Sequence, residues 1–252
     1  MRVVGVIPSR WGSTRFPGKS LHPICGRPLV AWVVAAAQRA RRLDQVIVAT
    51  DDARIAAAVR GTGATVAMTR PDHPSGTDRV AEAARPADDD IIVNIQGDEP
   101  LIAPALIDAL ADRLAADPRW DMATAACPID SRRDLEARSV VKAVCDRAGA
   151  ALYFSRLPIP CRRDGEPDLA SGLYLRHLGI YAYRGAFLKR LVAEPPCALE
   201  LAERLEQLRA LHIGGRIAVL VTAQAGVGVD TPEDVGYVEA AMRAQGLVTS
   251  EQ

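Results

Sequence analysis

The sequence has no excess of either charge: Lys+Arg and Asp+Glu number 31 each in 252 residues. A balanced chain casts no long-range field to gather nucleic acid or an anionic membrane, so any anion must be held by local groups. Long apolar runs are missing as well, and none approaches the ~20 residues of a membrane span. The opening MRVVGVIPSR has too short an apolar core for a secretory signal, and its valines and isoleucine fit a buried strand. Cysteines are few, five at positions 25, 127, 145, 161 and 197, and no two form a C-x-x-C pair. That removes the usual zinc and disulfide frameworks and leaves the free thiols of a cytoplasmic protein. There are no repeats and no low-complexity segment. What remains is 49% hydrophobic, enough for one core with a small appended lobe.

Strand and helix patterns alternate through the first half. Residues 2–8, 45–50, 65–68 and 90–96 read as buried strands, and 27–42, 52–60, 76–85 and 104–116 as amphipathic helices. Short Val/Ile runs between helices indicate βαβ units and a doubly wound, mostly parallel α/β sheet. Ligands of such sheets sit beyond the carboxyl ends of the strands, here just after Pro8, Thr50, Met68 and Gln96. The rhythm then breaks. Residues 140–146, 151–155 and 177–183 read as strands without long helices between them, a mixed or antiparallel extension. A polar loop covers 161–173, a helix 200–212, a last strand 216–221 and a last helix 231–245. The expectation is one domain: a nucleotide half over 1–125, an extension over 126–215, and a return to the core over 216–252.

The stretch WGSTRFPGKS, residues 11–20, is nearly a P-loop, but five residues rather than four separate Gly12 from Gly18. A P-loop also starts its helix at the Gly-Lys step, and here Pro23, Gly26 and Pro28 follow too soon. The stretch reads instead as a long loop leaving strand one. Arg10, Arg15 and Lys19 on that loop suit a polyphosphate held by charge and loop N–H groups. The competing reading is a solvated basic loop.

A triphosphate travels with magnesium, which takes carboxylate oxygens. NIQGDEP, 94–100, puts Asp98 and Glu99 past the fourth strand. In GVGVDTPED, 226–234, Thr231, Pro232 and Asp234 form a capping box, which accounts for Glu233 and Asp234 as first-turn acids. Asp230 has no such duty, so Asp98 and Asp230 are the candidate metal ligands. Ser75 with Asp78 is a second capping box; the N–H groups of Gly76 and Thr77 lie at the same sheet edge, and His73 fits an ordinary loop residue better than a base.

With these residues in place the chain closely resembles the CMP-Kdo synthetases, the 3-deoxy-D-manno-octulosonate cytidylyltransferases. HPSGTDR, NIQGDEP, LYFSR and RHLGIY carry the resemblance in this order, and the matching stretches run from residue 7 to 234. The resemblance implies a Rossmann-like nucleotidyltransferase sheet of the GT-A type. It implies transfer of CMP from CTP to Kdo, with Mg2+, for lipopolysaccharide biosynthesis in the cytoplasm, and a homodimer through the 150–190 region. CTP would meet Pro8, Ser9, Arg10, Ser13, Arg15, Lys19, Ser75, Gly76, Arg79, Gln96 and Asp98; Arg10, Arg15, Lys19, Asp98 and Asp230 would be catalytic, and Asp98 and Asp230 would hold the metal. The sugar acid would meet Gln96, Arg156, His177, Tyr181, Glu203, Glu206 and Gln207. Departures from the family pattern are Ser9 for Ala, Ser20 for Pro, Val227 for Thr, and Pro74 for Gln, which removes one N–H from the nucleotide loop. The same chemistry on 8-amino-Kdo or a sialic acid is the nearest alternative. A non-catalytic nucleotide-binding regulator would be expected to lack the two acids, and a P-loop kinase is opposed by the glycine spacing.

Overall fold

The computed structural model describes residues 1–12, 16–223 and 226–248. The chain divides into two compact units, Met1–Ala109 with Gly226–Gln252, and Leu110–Ala225. In the first unit β1 (Val3–Pro8) is followed by a two-stranded ribbon of β2 (Pro23–Ile24) and β3 (Arg27–Pro28), then α1 (Leu29–Ala37). There follow β4 (Gln45–Thr50), α2 (Ala53–Val59), β5 (Thr65–Met68), α3 (Gly76–Ala84) and β6 (Ile91–Asn94). The boundary between the units falls within α4 (Pro104–Ala116).

β1 pairs in parallel with both β4 and β6, and β5 pairs in parallel with β4, giving the order β6-β1-β4-β5. This is the parallel arrangement expected of Val/Ile strands buried on both faces. β1 is therefore central, and its carboxyl end is flanked by those of β4 and β6. The helix expected from residue 27 starts later. Arg27 precedes a proline, which disfavours helical backbone; Arg27 and Pro28 join the ribbon instead, and α1 begins at Leu29.

The second unit contains β7 (Met122–Pro128), α5 (Arg132–Glu136), β8 (Lys142–Cys145), β9 (Ala151–Ser155) and β10 (Leu175–Arg184). α6 (Gly185–Ala193), α7 (Ala198–Glu203), α8 (Gln207–His212) and β11 (Ile217–Val221) follow, before α9 (Asp234–Ala244) completes the first unit. β10 runs antiparallel to β7 and β8, β8 antiparallel to β9, and β11 parallel to β7. This is a mixed sheet, as expected. β7 had no signal in the sequence reading: MATAACP is rich in alanine, which lacks the β-branched signature of a strand. Because β11 pairs with β7, the chain returns to the first unit at Gly226 rather than at 216.

The helix expected over 200–212 is two. Arg204 takes left-handed backbone at φ 52° and ends α7. The carbonyls freed there are collected by Arg156, whose Nε donates to Glu203 O at 2.6 Å and Nη2 to Arg204 O at 3.3 Å. Helix-end carbonyls need such donors, and an arginine can satisfy several at once. Among the described residues no helix is long and apolar enough to cross a membrane.

Candidate active site

In the first unit the site is built on the end of β1. Ser9 N–H donates to Ala49 O at 2.8 Å, carrying the ladder one residue past Pro8. The loop then runs through Arg10, which is exposed, to a 3₁₀ turn at Lys19–Leu21. Ser9 Oγ donates to Ser20 Oγ at 2.9 Å, and both serines are buried. Two of the departures from the family pattern thus pair with each other and tie the Lys19 turn to the strand end.

Two further segments converge on the same point. Gly97 follows β6, and a Cβ there would lie 2.7 Å from the Pro8 carbonyl oxygen. Only glycine allows that approach, and it delivers Asp98 to Lys19: Nζ is 2.6 Å from Asp98 Oδ2. Asp98 O accepts from Val229 N–H at 2.8 Å, which brings in the stretch before α9. Asp230 Oδ1 then lies 3.8 Å from the same Lys19 ammonium. Asp234 does the structural work foreseen for it, its carboxylate accepting from the N–H groups of Asp230 and Thr231, both at 2.8 Å. These N–H bonds hold the Asp234 carboxyl below its usual range. Asp230's carboxylate is left to face Lys19.

Among the described residues no group of three or more His, Cys, Asp or Glu side chains could hold a metal. Two carboxylates converging on one ammonium nonetheless fit Mg2+. The ammonium stands where a cation would, and an ion with two protein ligands takes its remaining oxygens from phosphate and water.

Beside Pro8 the start of α3 comes close: a Cβ on Gly76 would sit 3.9 Å from the proline ring. Ser75 caps α3, accepting from Thr77 N–H at 3.1 Å and Asp78 N–H at 3.3 Å and donating to Asp78 Oδ2 at 2.7 Å. Arg79 is buried, with Nη2 on Asp51 Oδ2 at 2.9 Å and Nη1 on Thr69 Oγ1 at 2.5 Å. It is a strut between the ends of β4 and β5. His73 pairs with Glu82. Gln96 lies half-buried two residues before Asp98. Ser13 and Arg15 fall outside the described residues.

The second unit gathers the residues expected for the sugar. β10 bulges between Leu178 and Tyr181, and Thr124 of β7 sits opposite the bulge. Its hydroxyl donates to Ile180 O at 2.8 Å, so its oxygen accepts from His177 Nε2, 2.9 Å away. His177 Nδ1 then accepts from Gln207 Nε2 at 3.5 Å, and Gln207 Oε1 from the Tyr181 hydroxyl at 3.3 Å. Every donor in this chain has one direction. Burial pushes His177 down to about 3 and Tyr181 well above its usual value, so both stay neutral and serve as fixed hydrogen-bonding groups. Thr124, on the strand without a sequence signal, is the member that sequence reasoning missed.

The guanidinium of Arg156, expected at the sugar acid, donates to three backbone carbonyls, those of Glu203, Arg204 and, at 3.0 Å, Arg138. Glu203 is similarly engaged, accepting from Ser155 Oγ at 2.8 Å and Arg156 N–H at 2.9 Å. Glu206 sits half-buried at the start of α8.

The cytidylyltransferase family model matches residues 4–217. A 3-deoxy-manno-octulosonate cytidylyltransferase of Bdellovibrio bacteriovorus is 48% identical over 98% of this chain and 100% of its own length. That of Syntrophobacter fumaroxidans is 52% identical over 94% of this chain and 96% of its own. Among solved structures, a CMP:2-keto-3-deoxy-manno-octonic acid synthetase complexed with CTP matches with TM-score 0.90 and 41% identity, covering 97% of this chain and 100% of that one.

Two outcomes follow from the geometry. Lys19→Met leaves Asp98 and Asp230 facing each other without the ammonium. Millimolar Mg2+, with no nucleotide, should then raise the Tm of the variant by several degrees and that of the wild type by less; equal shifts would show that the carboxylates do not share a cation site. His177 binds its proton more weakly folded than unfolded, so the unfolded chain takes up the extra proton and stability falls as pH drops from about 6.5 toward about 3. The slope is about 1.4 kcal/mol per pH unit, and denaturant titrations of His177→Asn should lack that contribution.

Proposed function

The chain belongs to the cytidylyltransferase family, and from that premise we propose that it transfers CMP from CTP to the anomeric hydroxyl of 3-deoxy-D-manno-octulosonate, giving CMP-Kdo and pyrophosphate. The observation that carries this reading is the meeting of Lys19, Asp98 and Asp230 at the end of β1, where an open α/β sheet takes its nucleotide.

The sugar hydroxyl loses its proton to water as its oxygen forms a bond to the α-phosphorus, and the bond from that phosphorus to the bridging oxygen breaks, its electron pair leaving with pyrophosphate. Such a transfer is driven by positioning and charge. Lys19, exchanging its carboxylates for phosphate, stabilises the leaving pyrophosphate, and Arg10 and Arg15 flank the same loop. Asp98 and Asp230 are the residues that would hold Mg2+, which when bound neutralises phosphate charge and makes a hydroxyl it contacts more acidic. Pro8, Ser9, Ser13, Ser75, Gly76, Arg79 and Gln96 are proposed for the nucleotide. The sugar acid falls to the second unit, to His177, Tyr181, Gln207, Glu206, Glu203 and Arg156. His177 and Tyr181 orient hydroxyls rather than move protons, since neither titrates in the working range. The reaction is placed in the cytoplasm, where CTP is made and free thiols persist, with its product destined for lipopolysaccharide.

A second copy is proposed to cover the 150–190 region, where Leu152, Leu157 and Leu173 are each more than half exposed. Single apolar residues at a surface are ordinary, but three in one short region support an interface. Sedimentation at micromolar concentration should give a dimer, and Leu152→Asp with Leu157→Asp a monomer.

Pyrophosphate release tests the activity itself. With CTP, the expected order of acceptors is Kdo first, with 8-amino-Kdo and sialic acid far behind; release with none of them would sink the reading. The base is proposed to be read by the backbone carbonyls at Pro8 and Ser9, which accept from the cytosine amine and repel the uracil oxygen. The Ser9 hydroxyl is already committed to Ser20. CTP should therefore exceed UTP in kcat/KM by ~10²-fold or more. Ser9→Ala should keep that ratio; acceptance of UTP by the variant would assign the reading to the hydroxyl.

A further inference from the structure

Trp11 opens the loop that carries Lys19, and neither phosphate charge nor metal chemistry gives an indole anything to do there. Its surroundings do. The loop closes on itself where Gly18 N–H donates to Trp11 O at 3.3 Å. Gly18 takes left-handed backbone at φ 71° immediately before the Lys19 turn. A Cβ on Gly18 would lie 2.8 Å from one carbon of the Trp11 six-membered ring and 3.1 and 3.3 Å from two more, so the backbone packs closely against the indole. The Arg54 guanidinium packs against the ring as well, its central carbon 3.4 Å from the centroid. Arg54 is itself held: Nε and Nη2 reach Asp52 Oδ1 and Oδ2 at 3.0 and 2.6 Å, and Asp52 caps α2, accepting from Arg54 N–H at 2.8 Å. The path is unbroken from the capped α2 through Asp52, Arg54 and the indole to the residue before Lys19. An aromatic face attracts a cation and is rigid about its two torsions, so it fixes what leans on it.

We propose that Trp11, braced by Arg54 and Asp52, is a positioning residue for Lys19 in the transfer reaction. This rests on the activity proposed above. The Lys19 ammonium must move from the carboxylates to the phosphates without its backbone moving, and the indole is what holds that backbone. The contact also explains why position 18 is glycine: any side chain there meets the ring.

The test uses the full chain with CTP and Kdo. Wild-type turnover is the control; its absence would fail the proposed activity and not this inference. Trp11→Ala should lower kcat about tenfold or more and raise the KM for CTP, with the KM for Kdo unchanged. Trp11→Phe should recover most of the loss, and Arg54→Gln should show a milder loss of the same kind. Calorimetric titration counts the sites competent to bind CTP, so that rates are expressed per folded site. Wild-type constants per folded site in Trp11→Ala would overturn the proposal, as would equal losses in Trp11→Ala and Trp11→Phe. Should Trp11→Ala fail to fold, Trp11→Phe and Trp11→Leu decide: a planar ring must outperform the aliphatic chain in kcat, and parity overturns it.

Discussion

One ammonium shared by two carboxylates organises the first unit. Asp98 and Asp230 are separated by most of the chain, and like charges brought together repel unless a cation intervenes. Lys19 supplies that cation. The surrounding details serve its placement. Ser20 fastens the Lys19 turn to Ser9, Gly97 lets the Asp98 segment press against the Pro8 carbonyl, and the Asp98 carbonyl anchors Val229. The ammonium is therefore already paired with anions, and two carboxylates are already gathered around it at the end of β1.

The second unit is organised by carbonyls. Arg204 breaks what the sequence pattern alone would make one helix, and Arg156 satisfies the carbonyls exposed by the break. Lys142 is buried on the same principle, its Nζ donating to the carbonyls of Ala137, Val140 and Arg156 at 3.0, 2.6 and 2.7 Å. Burial lowers its proton affinity, with the nearby Glu203 acting the other way. Lys142 thus holds the Arg156 carbonyl while the Arg156 guanidinium holds those of Arg138, Glu203 and Arg204, and Glu203 closes the group through Ser155 and Arg156 N–H. The outcome is a rigid floor from which Gln207 reaches His177 and Tyr181.

Much of this was legible in the residues. The Val/Ile strands, the strand-end rule and the failed P-loop spacing pointed to the Lys19 loop at the end of β1, and subtracting the helix-cap acids singled out Asp230, which the structure brings to Lys19. Other parts were not legible, for identifiable reasons. β7 is an alanine-rich strand with no β-branched signature, so Thr124 and its part in the polar chain went unseen. The break at Arg204 is decided by an arginine nearly fifty positions away. The same contact gives Arg156 a structural task that no local pattern announces. Arg79, which the resemblance puts beside the cytidine, is bonded to Asp51 and Thr69, partners that no local pattern announces. Hydrogen bonds across long sequence separations occupy Arg156 and Arg79, and sequence spacing carries no record of them.

The first unit is interrupted in sequence: its early strands belong with residues from 226 onward. Phe16, Ile24 and Leu29 pack with Val229, Val238 and Met242 in one cluster. A ribosome therefore exposes the first three of these side chains long before it makes the last three, and a nascent chain carries that unfinished apolar surface through the synthesis of the whole second unit. Asp230 arrives with the same late segment. A chain released before Asp230 therefore lacks both the cover of that apolar cluster and one of the two carboxylates facing Lys19.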